Sequence, residues 1–204
     1  MSLRVLGLLT TLLLVLPGAA RAQTDPGPPG PFVIDLRGAM IGLPNAGEFY
    51  PALPEDTTIP GRAFGFDLGA HVLFGKLGAG RMGVGANASF LRGKVGPPDV
   101  SARVTTVAPQ FSLNFGSGDG WSYLSAGYGL GSISTRVAAT EDVEETRAET
   151  GMVGTLNFGG GARWFVNRHV ATGFDVRFHR FSASSELGTP ATMRVALSVG
   201  VSLR

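Results

Sequence analysis

The chain has no cysteine, which excludes both a disulfide framework and a thiolate metal site. Lysine is nearly absent. Lys76 and Lys94 are the only two, so almost all positive charge is arginine. An excess of one sign is missing as well, with 17 basic residues against 15 acidic. No basic stripe of the kind that announces a nucleic-acid partner follows from that balance. Past the N-terminus there is no run of ~18 consecutive apolar residues, so a spanning helix is excluded too. What the chain has in quantity is glycine, 31 residues, in a sequence that is 44% hydrophobic.

Residues 1–22 read as a signal peptide. Arg4 is a thin positive start, Val5 to Leu16 is an apolar core of secretory length, Pro17-Gly18 breaks it, and Ala20-Arg21-Ala22 supplies small residues at a cleavage spacing. Arg4 and Arg21 leave with that segment, so the mature chain is balanced at 15 against 15. Residues 23–31, rich in proline and glycine, read as a flexible lead, and 32–204 as one domain. An exported, glycine-rich, half-apolar chain with no spanning helix is a soluble β-domain or a closed membrane barrel, because only helices and closed barrels satisfy the backbone in hydrocarbon.

The remaining sequence divides into candidate strands at 32–43, 63–75, 82–94, 104–116, 121–137, 153–166, 170–183 and 194–204. The connections 76–81, 117–120 and 166–169 are short and turn-like, whereas 44–62, 96–103, 138–152 and 184–193 are longer and polar. Short turns at one end and long loops at the other describe a membrane barrel with periplasmic turns and extracellular loops. The expected fold is all-β: an eight-stranded antiparallel up-and-down transmembrane β-barrel, both chain ends on the short-turn side.

The faces of the strands separate that expectation from a soluble barrel. From Val195 to Leu203, branched apolar residues alternate with Ala, Ser and Gly, the period of a strand between two different surroundings. Phe174, Val176 and Phe178 alternate with Asp175, Arg177 and His179. Phe64, Phe66, Leu68, Val72 and Phe74 oppose Asp67 and His71, and Ile34 and Leu36 oppose Asp35 and Arg37. With the aromatics outside, the small and charged face fills a narrow lumen, and Gly127, Gly129, Gly131, Gly159 and Gly161 make room for its long side chains. Pro109 lies inside a strand of a barrel that has no free edge, and a bulge is the expected accommodation.

Three segments carry a family resemblance: Pro109-Gln110-Phe111-Ser112-Leu113-Asn114-Phe115-Gly116, Tyr123 to Gly129, and Gly159-Gly160-Gly161-Ala162-Arg163-Trp164-Phe165-Val166-Asn167-Arg168-His169. In these the chain resembles the small Gram-negative outer-membrane β-barrels of the OmpA/OmpX-like group, across nearly all of 32–204. The resemblance implies a location in the outer membrane of a Gram-negative bacterium after signal-peptide cleavage, outer-membrane lipids around the barrel, and insertion by the barrel assembly machinery. Family members often end on an aromatic residue that this machinery reads, whereas this chain ends Leu203-Arg204.

The candidate site is the set of charges predicted to face the lumen: Asp35, Arg37, Asp67, His71, Arg163, Asp175, Arg177 and His179. Charges inside a narrow barrel must be paired, so an internal salt-bridge network is expected, with a polar path for small solutes as the alternative. Catalytic, cofactor and metal sites are not expected. His179, Ser182 and Glu186 invite comparison with a Ser-His-acid hydrolase, but residues three apart on a strand project to opposite faces. His71, His169 and His179 are too scattered for a metal centre. The acidic run Glu141 to Glu149 reads as a solvated surface loop tip, open to a surface ligand. Trp164 points outward, into an aromatic girdle, while Trp121, Tyr123 and Phe165 pack beneath a turn. The expected function is a structural or surface-interaction role with at most a narrow pore. The competing expectations are a secreted, lipocalin-like binding barrel and a lipid-modifying enzyme.

Overall fold

The computed structural model describes residues 30–44, 49, 58–96, 99–117, 120–139, 144–185 and 188–204. The signal peptide, most of the lead, Glu141, Asp142 and Glu186 lie outside the described residues.

Nine strands follow one another: β1 (Phe32–Gly42), β2 (Arg62–Leu77), β3 (Gly80–Val95), β4 (Val100–Ser117), β5 (Gly120–Val137), β6 (Thr146–Glu149), β7 (Val153–Phe165), β8 (Val170–Phe181) and β9 (Thr192–Leu203). Eight of them close into an antiparallel up-and-down barrel, in which each strand pairs with its sequence neighbours and β1 pairs with β9. β6 is an addition, lying against the loop end of β5 from Ser134↔Glu149 to Val137↔Thr146. The segment 138–152, expected as loop, therefore carries a strand. Two further expectations contract. The turn expected at 76–81 shrinks to Gly78-Ala79, and the loop expected at 96–103 ends before Val100, because β2, β3 and β4 run further than their apolar alternation. The lead is tied down at its end, where the Pro31 carbonyl accepts from Leu73 N at 2.7 Å.

Pro109 is not accommodated by a bulge. It pairs with Ala86 on β3 in unbroken register. Towards β5, the ladder runs from Val100↔Val137 to Val107↔Leu130, skips Ala108 and Pro109, and resumes at Gln110↔Gly127 with the same offset. The missing proline N–H costs a local gap in one ladder, and the strand keeps its phase. The irregularity that is present falls between Phe74 and Lys76, at Gly75 with φ of 41°.

Outside, the wall is an apolar belt. Phe64, Phe66, Val72, Leu124, Tyr128 and Val199 are each 59–67% exposed, the outward apolar band of a transmembrane barrel. Inside, the lumen is layered. Nearest the turns Val33, Leu73, Trp121, Phe165 and Ala171 form one apolar cluster, with Trp121 edge-on to Phe165 at 5.3 Å. Towards the loops Ile41, Leu43, Leu91, Val104, Ile133, Phe181 and their neighbours form a second. Between the two lies a polar and charged layer. An eight-stranded wall encloses a space just wide enough for side chains to fill, and here they fill it.

Among the inner-face glycines, Gly131 makes room for the side chains of Thr155 and Phe181, whereas Gly127, Gly129, Gly159 and Gly161 serve the wall first. A Cβ on Gly161 would lie 2.0 Å from the Phe174 carbonyl oxygen and 2.9 Å from the Tyr123 hydroxyl, and one on Gly159 would lie 2.2 Å from the Val176 carbonyl oxygen. The clash with neighbouring backbone comes first, so these glycines let β7 coil tightly against β8.

Candidate functional site: the charged layer of the lumen

Each inward charge comes from a strand position whose two neighbours face lipid. Asp35 and Arg37 lie on β1, Asp67 and His71 on β2, Arg163 on β7, and Asp175, Arg177 and His179 on β8, all buried. Coiling of the strands around the barrel brings these residues to overlapping depths.

Asp35 is the hub. Arg163 Nε and Nη2 donate to its two carboxylate oxygens at 3.0 and 2.7 Å. Ser202 on the adjoining β9 donates to it at 2.5 Å. Arg37 Nη2 lies 2.7 Å from the same carboxylate. That contact is an ion pair outside hydrogen-bonding geometry, since Nη2 makes no hydrogen bond. Arg37 Nη1 reaches across to Asp67 at 3.4 Å. The second oxygen of Asp67 accepts from Asn87 at 2.9 Å and Ser89 at 2.8 Å, both on β3.

Asp175 and Arg177 form a second pair, two residues apart on β8, with Arg177 Nη2 at 2.9 Å and Nε at 3.2 Å. Arg177 also donates to Ser125 at 3.1 Å. Tyr123 joins the halves. Its hydroxyl donates to Asp175 at 2.6 Å, while the Arg163 guanidinium lies 3.8 Å from its ring centroid and that of Arg37 lies 5.7 Å away. The expectation that Tyr123 only packs beneath a turn is thus corrected. Its parity with Gly127 correctly faced it inward, but nothing in one strand shows that Asp175 of another lies within reach of the hydroxyl. Trp121 and Phe165 do pack beneath the turns, and Trp164 is 52% exposed on the outer wall.

The two histidines stand apart from the ion pairs. His71 contacts the Ser112 hydroxyl at 3.1 Å through Nδ1. His179 is buried beside Phe181, and its Nδ1 bonds nothing among the described residues. Ser182 is exposed while His179 is buried, so the two lie on opposite faces. His169 is exposed in the β7–β8 turn.

Chemically the layer is a closed circuit: two aspartates share Arg37, one of them also grips Arg163, and a tyrosine ties that group to the Asp175–Arg177 pair. In such a place ion pairs gain little net stability over apolar packing, yet breaking one is costly because a buried charge is left unpaired. The layer links β1, β2, β3, β5, β7, β8 and β9 through side chains. It lies between the two buried apolar clusters.

No family model matches the sequence, and no curated protein does. Solved structures do match in fold. Neisserial surface protein A superposes with a TM-score of 0.53 at 14% identity, covering 85% of this chain and 97% of that one. The outer membrane protein OprG from Pseudomonas aeruginosa superposes with a TM-score of 0.54 at 14% identity, covering 88% of this chain and 98% of that one. At that identity the likeness is one of fold. The strand count, up-and-down order, outward aromatic belt and filled lumen give this chain the fold of these small eight-stranded outer-membrane β-barrels.

Proposed function

We propose that the protein resides in the outer membrane of a Gram-negative bacterium as a sealed barrel, acting through its surface rather than by conducting solutes. The observation that carries this reading is the layered lumen, with apolar clusters on both sides of a paired charge layer. A porin needs a wide aqueous lumen, and arginine and aspartate fill this one. The same layer weighs against a lipocalin-like reading, because a cavity for an apolar ligand would have to occupy the space of Arg163, Tyr123 and Asp175. The apolar exterior weighs against it as well. What the barrel presents to the outside is its loop end, where β1 meets β2, β3 meets β4, β5 and β6 meet β7, and β8 meets β9, and a structural or surface-recognition role rests there.

Two measurements test this. Fractionation of cells should place the protein in the Sarkosyl-insoluble envelope, with heat-modifiable migration. Planar-bilayer recording of the purified monomer should show no steady large conductance, with at most small, rare openings. A freely soluble periplasmic protein would overturn the location, and sustained porin-sized currents would overturn the sealed lumen.

A further inference from the structure

The outer wall of β2 to β6 changes character near the loop end. Within the belt, one outward row across adjacent strands reads Phe66, Phe90 and Thr105. One step nearer the loops it reads Phe64, Arg92, Arg103, Ser134 and Glu149. One step further it reads Lys94, Ser101, Arg136 and Arg147, with Arg62 outward on β2. Two registered cross-strand pairs in these rows are like-charged, Arg92↔Arg103 and Arg136↔Arg147. Like charges directly opposite on a sheet destabilise it. Glu145 relieves one pair by bridging Arg136 and Arg147. Among the described residues, no carboxylate pairs with Arg62, Arg92, Lys94 or Arg103. Between these side chains, Arg92, Arg103, Arg136, Arg147 and Glu149 line an open cleft of about 260 Å³.

We propose that this cleft is a headgroup site for a phosphate-bearing lipid of the surrounding leaflet, whose phosphate lies between Arg92 and Arg103 and whose acyl chains lie on Phe64, Phe66 and Phe90. Three features support the assignment. Among the described residues four arginines line the cleft against the single unpaired carboxylate of Glu149, an excess of positive charge, and guanidinium forks match phosphate geometry in pairs, where ammonium groups act only as point charges. The arginines project sideways from the wall rather than over the barrel mouth. They also begin in the row of Phe64, at the edge of the aromatic belt, the depth at which headgroups meet acyl chains, so an anion held there is a lipid's. β4 and β5 are 18 residues long, against the ~9–11 that cross the hydrocarbon, and the extra length lifts this face into the headgroup zone. The site rests on the membrane reading above.

The test uses the barrel folded in phosphate-free maltoside micelles, read by the temperature at which its fast-migrating folded band is lost. Doping the micelles with bis-phosphorylated lipid A should raise that temperature by several degrees, and the dephosphorylated lipid should not. Arg92→Gln with Arg103→Gln should abolish the gain, yet leave the barrel at least as stable as wild type in undoped micelles, because the opposed charges are gone. Arg180→Gln, outward on β8 and away from the cleft, should keep the gain. The wild-type gain should disappear in about 1 M salt, where the screening length falls to roughly 3 Å, and this arm needs no variant to fold. No gain in the wild type, or a full gain in the double variant, would overturn the proposal. An equal gain from inorganic pyrophosphate in undoped micelles would reassign the cleft to a soluble anion. A chain that folds without any amphiphile defeats the membrane reading instead, an outcome distinct from a folded barrel that ignores lipid A.

Discussion

Arg163 on β7 grips both carboxylate oxygens of Asp35 on β1, at 3.0 and 2.7 Å, across 128 residues of sequence. The two strands are not neighbours in the sheet, since β9 and β8 stand between them. The contact therefore spans the lumen and can form only once the barrel has closed, which makes it a sensitive reporter of closure.

The arginines and aspartates of the layer should differ in what their loss costs. Asp35→Ala leaves both Arg163 and Arg37 without their shared carboxylate, and should destabilise the barrel by about 3–5 kcal/mol. Arg163→Met leaves Asp35 still paired with Arg37 and bonded to Ser202, and should cost less. Urea titrations of folding into vesicles should give that order. Equal small losses for both variants would show that the layer does not hold the strands in register.

Depth on the outer wall sets the cost of a charge. Val199 on β9, 67% exposed in mid-strand, and Met193 near the loop end of the same strand, 51% exposed, share one face. Val199→Arg should cost ~2–4 kcal/mol, whereas Met193→Arg should cost ~0–1. The same urea titrations measure it, and equal tolerance at both positions would place the belt elsewhere.

The direction of insertion follows from the turns and loops. The start of β1, the end of β9, the junction of β4 and β5, and the connections 78–79 and 166–169 share one end of the barrel. With that end in the periplasm, an epitope inserted after Asp142 should label on intact cells, and one inserted after Asp119 should label only after the outer membrane is permeabilised. Asp142 is preferred over Glu145 as the insertion point because Glu145 anchors β6 through Arg136 and Arg147. Loop tips absorb insertions when few packed contacts are lost. The opposite labelling pattern would invert the topology.

Acid should loosen β6. Hydrogen bonds from Arg136 and then Arg147 hold the Glu145 carboxyl below the ordinary glutamate range. A carboxyl lowered on folding contributes its stabilisation above the unfolded value and loses it as pH falls through the lowered folded value. The β5–β6 pairing should therefore persist through mildly acidic pH and weaken only below the usual glutamate range. The Glu145 carboxyl shift, followed by NMR, should titrate below that of an unstructured peptide of the same sequence, and Arg136→Gln should bring the two together.

Much of this architecture is written locally. The eight barrel strands and the facing of Phe174, Asp175, Val176 and Arg177 follow from a period of two, because consecutive side chains on a strand meet opposite surroundings whatever the rest of the chain does, whereas the added strand β6 does not show in that pattern. Short turns and long loops add which end is which. Pairing is a different matter. That Asp35 meets Arg163, that Tyr123 reaches Asp175, and that Arg92 stands opposite Arg103 all depend on stagger between strands, which no single strand encodes. The apolar clusters that seal the lumen are invisible for the same reason, being assembled from one or two residues of nearly every strand. Pro109 shows the limit from the other side. Proline predicts a lost hydrogen bond, but whether the strand bulges or simply leaves a gap was decided by the unbroken register of β3 and β5 on either side of it. The sequence by itself determined which residues face lipid and which face inward. Only closure of the barrel, by bringing distant strands to the same depth, decided which of the inward residues would touch.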